Sequence, residues 1–297
     1  MNKSKQATTV CISGDIDYFE LETVEGCLEP LFHILREYGV TMTIPITAKA
    51  IEDYPERAEY VLKQGHEVAV HGDVHQPFTG SVEEQAERLE KARRIFKDVL
   101  GFIPEGFRAP QMRHNENTYQ ALIQTGFFYD SSQARNEVFF KLPLVNKFTY
   151  DLALFPSIKP FLSLAASAKY RQVPAAPYFL HDRLVELPMT GPPDWNFISS
   201  PKGPRYSPNQ AYRMAEIWLD IVRDMKKRGG GLFIAQVHPA IVSPLYNQAI
   251  ELFLRHLVDD NAVEIRQLGD IAKSFVAEPY RRNTPTVPNR DRFALRR

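Results

Sequence analysis

Apolar residues follow two alternating rhythms along this chain. Short runs in which most positions are apolar are followed by longer segments with apolar residues at helical spacing. TTVCIS (8–13) predicts a first strand, and LETVEGCLEPLFHILREYG (21–39) a helix closed by Gly39. VTMTIPIT (40–47) predicts a second strand, and AKAIEDYPERAEYVLKQG (48–65) one helix ending at Gly65. HEVAVHG predicts strand three. SVEEQAERLEKARRIFKDVLG then opens on a capping box, Ser81 to Glu84, and stops at Gly101. GFRAP, FFYDSS and LVELPM predict short strands, with NENTYQALIQTG a helix between the first two. SPNQAYRMAEIWLDIVRDMKKRGGG predicts a long helix with Ser207 as N-cap and Pro208 in its first turn. GLFIAQVHP predicts a buried strand, PLYNQAIELFLRHLVDDN a helix, AVEIRQL a strand and DIAKSFVA the last helix.

Strand–helix units repeated this often predict a parallel sheet covered by helices, and their number favours a barrel over an open sheet. Two stretches break the rhythm. Residues 134–182 carry Pro143, Pro156, Pro160, Pro174 and Pro177 among many aromatics and predict an inserted lobe over a site. Residues 276–297 form a basic, proline-containing tail: either an ordinary chain end or a contact to a partner subunit or an anionic membrane surface.

Composition narrows the function. Lys+Arg and Asp+Glu both number 36, so the formal charge is zero and a general affinity for nucleic acid is not indicated. The first residues hold no apolar run of signal-peptide length, and no segment has the roughly 20 apolar residues of a membrane span. The two cysteines, Cys11 and Cys27, make neither a disulfide framework nor a cysteine-based zinc site. A cytoplasmic protein is expected.

In a parallel barrel, functional residues sit at the C-terminal ends of strands. Those ends carry Asp15 and Asp17, His71 and His75, Arg108 with Pro110, Asp194-Trp195, and His238. A divalent metal needs about three protein ligands and an open position. His71 and His75, at i and i+4, would present two imidazoles on one helical face, and Asp15 or Asp17 would add a carboxylate. Each group alone has an ordinary reading: an aspartate caps a helix, Arg108 makes an ion pair, Trp195 packs, a histidine closes a turn. The other five histidines receive no role. No G-x-S-x-G stretch occurs, which removes the usual serine-hydrolase reading.

The ordered set SGDIDYF, GHEVAVHGDVH, GFRAPQMRHNENTYQALIQTGFFYDSS, LVELPMTGPPDW and LFIAQVHP resembles the polysaccharide deacetylase family, the NodB-homology carbohydrate esterases, over roughly residues 8–275. The resemblance implies an α/β fold, a distorted (β/α) barrel of seven or eight strands. It implies one divalent ion, zinc in the first place with cobalt or nickel as alternatives, on Asp17, His71 and His75. By the same resemblance Asp15 is the general base, Arg108 orients it, and His238 is the general acid. Pro110 shapes the groove wall. Asp194 and Trp195 match more loosely, as residues near His238 with a part in binding substrate. Ile16 separates aspartates that polysaccharide-active members carry side by side. That D-x-D form resembles an intracellular branch with deacetylases, allantoinase-like hydrolases and a deformylase of a lipid-linked aminosugar. Gly72 replaces the usual Ser or Thr, and Gln111 the usual aromatic.

The implied activity is removal of an N-acyl group, N-acetyl first, from a small or carrier-linked amino sugar. Metal-activated water would attack, with its pKa lowered from near 16 to roughly 7–9. Aromatics of 134–200, Trp195 included, would wall the pocket. The alternatives are hydrolysis of a cyclic amide or imide, the lipid-linked deformylase reaction, and a catalytically silent binder; the complete residue set argues against the last. Peripheral contact with the cytoplasmic face of a membrane and homo-oligomerisation stay open.

Overall fold

The structure, a computed structural model, describes residues 7–17, 21–22, 24–134, 173–194, 197, 208–239 and 244–277. Elements run β1 (Thr8–Gly14), α1 (Val24–Glu37), β2 (Thr43–Ile46), α2 (Ala48–Asp53), α3 (Pro55–Lys63), β3 (Glu67–Val70), α4 (Val82–Leu100), β4 (Gly106–Phe107), α5 (Glu116–Gln124) and β5 (Tyr129–Asp130). There follow β6 (Tyr178–Leu180), β7 (Leu184–Glu186), α6 (Pro208–Lys227), β8 (Gly231–Val237), α7 (Pro244–Val258), β9 (Val263–Ile265) and α8 (Leu268–Ala277). Most of the span expected as a lobe (135–172), most of the tail (278–297), Trp195 and Ser207 lie outside the described residues. Residues 178–180, inside the expected lobe, are strand β6.

The expected helix over 48–65 is two helices. Pro55 disfavours helical backbone at the residue before it, and Tyr54 sits at φ −133°, ψ 60°, ending α2 and starting α3. The capping box of α4 forms as its sequence requires, and Gly101 closes it at φ 78°.

The strands form one sheet in the order β6-β7-β5-β4-β3-β2-β1-β8, with β9 paired to the start of β1. The paired strands are parallel, except for the β6–β7 hairpin. No ladder joins β7 to β8 among the described residues. The segment after β7 bridges that gap: Thr190 Oγ1 donates to Leu232 O, and Asp194 N to Gln236 O at 3.1 Å. The result is a distorted (β/α) barrel. Alternation sorts the side chains. Val10 and Ile12 face the helices, whereas Cys11, Tyr129, Val185, Leu232 and Ile234 form an inner cluster that α8 plugs with Leu268, Ile271 and Phe275. Glu67 ties this plug in, accepting from Thr43 Oγ1 (2.6 Å), Tyr129 Oη (2.8 Å) and the Gly269 N–H that opens α8 (3.0 Å). No helix among the described residues is long and apolar enough to cross a membrane.

Gly106 is a close approach: a Cβ there would overlap the phenol ring of Tyr129. Gly106→Ala is expected to destabilise the fold by about 1–3 kcal/mol. A urea melt checks this, and an unchanged midpoint would mean that the ring moves aside freely.

Candidate active site

Continuing the alternation of β1 past its end puts Ser13, Asp15 and Asp17 on the inner side and Ile16 in the core. Ile16 N donates to Pro45 O at 2.8 Å, which extends β1 along β2 just far enough to bring Asp17 beside Thr47, whose hydroxyl donates to it at 2.7 Å. The intervening isoleucine is therefore what lets both aspartates share the rim.

Asp15 is nearly buried. Its Oδ1 accepts from Arg108 Nη1 at 2.6 Å, and its Oδ2 accepts from Gln236 Nε2. Burial works to raise its pKa, but Arg108, His71 and His238 outweigh burial and lower it to about 2. Arg108 is fully buried, and its fork also donates to Ser13 Oγ (2.7 Å), Ser131 O (3.1 Å) and Ser131 Oγ (3.1 Å).

His71 and His75 were expected on a helical face, but HGDVH is a loop. Gly72 adopts φ +83°, which ends any helical path, and a Cβ there would crowd Phe78 and Pro110. The loop is clasped from α4 by Arg88. Its guanidinium donates to Asp73 Oδ1 (2.8 Å), Pro77 O (2.8 Å) and Gln76 O (3.2 Å), and lies 4.0 Å from the Phe78 ring centroid. The two imidazoles come together all the same, 5.3 Å between ring centroids. His71 Nδ1 lies 2.9 Å from Arg108 O, so Nδ1 carries the proton and Nε2 keeps its lone pair. Burial, helped by His75 and Arg108 and opposed by Asp15, lowers the His71 pKa to about 4, which leaves the ring neutral at pH 7.

Asp17 Oδ2 stands 4.0 Å from His75 Nδ1, and these two side chains are the open ones, at 41% and 40% exposure. Among the described residues no three His, Cys, Asp or Glu side chains already close on one ion-sized centre. The donor types nonetheless fit a zinc-class ion: two imidazoles, one with its second nitrogen anchored to a carbonyl, and one carboxylate.

His238 follows β8 on the far side of β1. Its Nδ1 lies 2.6 Å from Asp194 Oδ1, and its backbone N–H donates to Asp194 Oδ2 at 2.6 Å. Asp194, expected with the substrate-binding residues, is fully buried behind His238 and also accepts from Tyr246 Oη at 3.0 Å. Its oxygens are occupied, so it orients the histidine and does not line open space. Trp218 Nε1 donates to Pro192 O at 2.8 Å, which fixes the segment that carries Asp194. Pro110 is buried and starts a tight turn in which Gln111 and Met112 have φ of 58° and 54°. Trp195 lies outside the described residues.

Sequence reasoning missed Gln236, Thr47 and Arg88. Gln236 carried a signal, as the one amide in the otherwise apolar run LFIAQV. Arg88 carried none, being one charge among many on a polar helix face. Beside the Arg108 cradle, the loops after β4 and β5 line a cavity of about 610 Å³ with Met112, His114, Tyr119, Ser132 and Gln133.

A parallel barrel whose strand ends gather carboxylates and imidazoles on one rim has its candidate site where such barrels carry their active sites. The polysaccharide deacetylase family pattern matches residues 3–129. A peptidoglycan deacetylase of Helicobacter pylori is 24% identical over 261 residues, 83% of this chain and 82% of that protein. A Mycobacterium smegmatis structure described as a polysaccharide deacetylase superposes with a TM-score of 0.69 at 20% identity, covering 93% of each chain. The structure of Puue allantoinase matches equally, TM-score 0.69 at 14% identity, covering 94% of this chain and 93% of its own. At such identities the structural likeness shows the fold alone. Over its first half the chain is similar to the polysaccharide deacetylase family, and over most of its length to a peptidoglycan deacetylase.

Proposed function

We propose that this protein hydrolyses the N-acyl amide, N-acetyl first, of a small or carrier-linked amino sugar. The observation that carries the reading is the pairing of two opposed proton-handling groups on one rim. Asp15 is held ionised by Arg108 and Gln236, and His238 is held by Asp194. A divalent ion on Asp17, His71 and His75, zinc in the first place, would supply Lewis acidity toward the amide carbonyl. Arg108 and Gln236 aim the Asp15 carboxylate, which accepts the proton of the attacking water as the water oxygen bonds to the carbonyl carbon. A pKa near 2 keeps Asp15 charged at the expense of basicity, so its contribution is position as much as proton affinity. His238 gives a proton from Nε2 to the amine nitrogen as the C–N bond breaks, releasing a carboxylic acid and a free amino sugar. Asp194 compensates the charge of the doubly protonated ring.

Hydrolysis of a cyclic amide is the second reading, favoured by the spacing of Asp15 and Asp17. A cytoplasmic setting belongs to the same proposal and is supported by two buried free thiols; fractionation of the intact chain tests it.

Elemental analysis of the purified chain is expected to find about one divalent ion, lost in His71→Ala/His75→Ala. Amine release is expected from N-acetylated amino sugars and not from cyclic imides or ureides. Wild type that takes up no ion after soaking in zinc, cobalt or nickel would overturn the metal assignment, and ring opening without amine release would move the reading to the second one.

A further inference from the structure

Two acids stand behind Arg108, on the side of the sheet away from the barrel interior. Asp130 ends β5, Glu186 ends β7, and the two are directly paired in register. Both are fully buried. Asp130 Oδ1 accepts from Ser132 Oγ at 2.5 Å, and Glu186 Oε1 accepts from Gln133 N at 3.0 Å. Their other oxygens, Asp130 Oδ2 and Glu186 Oε2, have no donor from any other residue. The register sets the two residues side by side in a dry site, where two carboxylate oxygens can satisfy each other only with a proton between them.

The stretch between these anchors grips Arg108. Ser131 takes two of the guanidinium's hydrogen bonds, through its carbonyl and its hydroxyl, and donates to Leu187 O at 2.8 Å, next to Glu186. Ser132 Oγ accepts from the N–H of Ala109, the residue after Arg108, at 2.8 Å. The acid pair thus pins residues 130–133 from outside while their inner side holds the arginine that aims Asp15.

We propose that Asp130 and Glu186 share a single proton and act as one positioning unit that sets Arg108, and through it Asp15. Two anions in one dry site cannot both ionise. Burial raises both carboxyls, and for Glu186 the neighbouring Asp130 adds to it. The charged and titratable groups facing the pair are Arg108 just after β4, His114 from the loop before α5, Tyr119 from α5 and Tyr178 across the hairpin. Arg108 and His114 favour ionisation, but neither donates a hydrogen bond to the pair.

The positioning role rests on Asp15 being the base, so the first readouts need no substrate. Infrared spectra of the full chain at neutral pH are expected to show the carbonyl stretch of a buried protonated carboxyl, shifted in D₂O. Glu186→Gln, whose amide donates in place of the proton, should lack it. Sign fixes the stability test. The folded pair holds its proton more tightly than the unfolded chain, so its stabilisation is complete below the ordinary carboxyl value of 4.5 and declines as pH rises through the raised value. Wild type should therefore lose stability relative to Glu186→Gln as pH rises. In NMR of labelled protein, the Arg108 Nε–H should exchange slowly in wild type and Glu186→Gln, and fast in Glu186→Ala. On a substrate that is turned over, Glu186→Ala should lose about tenfold or more in kcat with KM held, and Glu186→Gln should keep it. No infrared band, or an Arg108 Nε–H untouched in Glu186→Ala, overturns the proposal. A chain that turns over nothing sinks the function above and leaves the spectra to decide this one.

Discussion

Asp15→Asn is expected to lower kcat by about 10²–10⁴ while the chain stays folded and keeps its capacity for metal. The substitution is close to isosteric, and the surroundings tolerate an amide. The amide oxygen of the variant can still accept from Arg108 Nη1, and Gln236 can turn its own amide to offer an oxygen to the new NH₂ group. What disappears is the negative charge and the ability to take a proton. Arg108 loses its anion but keeps Ser13 and Ser131 as neutral acceptors, so some loss of stability accompanies the change without collapse. Kinetics of amine release, run beside elemental analysis and a thermal melt, separate the two effects. Near-wild-type turnover in a folded, metal-loaded Asp15→Asn would remove Asp15 from the role of base.

Arg108→Met is expected to give the largest loss of stability of any substitution at the site, about 3–5 kcal/mol. Arg108 is fully buried, and so are the groups that it satisfies. Without it, Asp15 is a buried carboxylate opposed by burial and supported by the Gln236 amide, while the Ser131 carbonyl loses a donor. Arg108→Lys should recover only part of the loss, because an ammonium on a flexible stem cannot reproduce a planar fork that reaches Ser13, Asp15 and Ser131 together. Urea midpoints of the three proteins decide the matter. If Arg108→Met melts like wild type, the buried ion pair contributes nothing and the cradle does not depend on it.

Much of the rim was legible because strand ends are legible. Asp15, His71, Arg108 and His238 each follow a short apolar run, and a parallel barrel delivers such positions to one rim whatever lies between them. The long, strongly capped helix α4 also read correctly from Ser81, Glu84 and Gly101, since a capping box and a left-handed glycine act within a few residues. The helix over 48–65 read wrongly because helical spacing persists through a break. Pro55 shifts the backbone of Tyr54 without disturbing the apolar stripe on either side. HGDVH misled in a similar way: spacing of i and i+4 fits a helix, yet the positive φ at Gly72 and the grip of Arg88 make it a loop that still pairs the rings.

The sequence by itself determined the α/β order and the polar residue types at the strand ends, because these depend on patterns spanning a few positions. Only the tertiary structure decided what each group touches. Asp194 supports His238 from 44 positions away, Gln236 reaches Asp15 across 221, and Asp130 meets Glu186 through the register of two strands far apart in the chain. Ionisation follows the same division. An aspartate in a sequence carries its ordinary acidity. An arginine fork at 2.6 Å holds Asp15 charged against its burial, whereas burial and a neighbouring acid raise Glu186, and those are properties of the folded barrel alone.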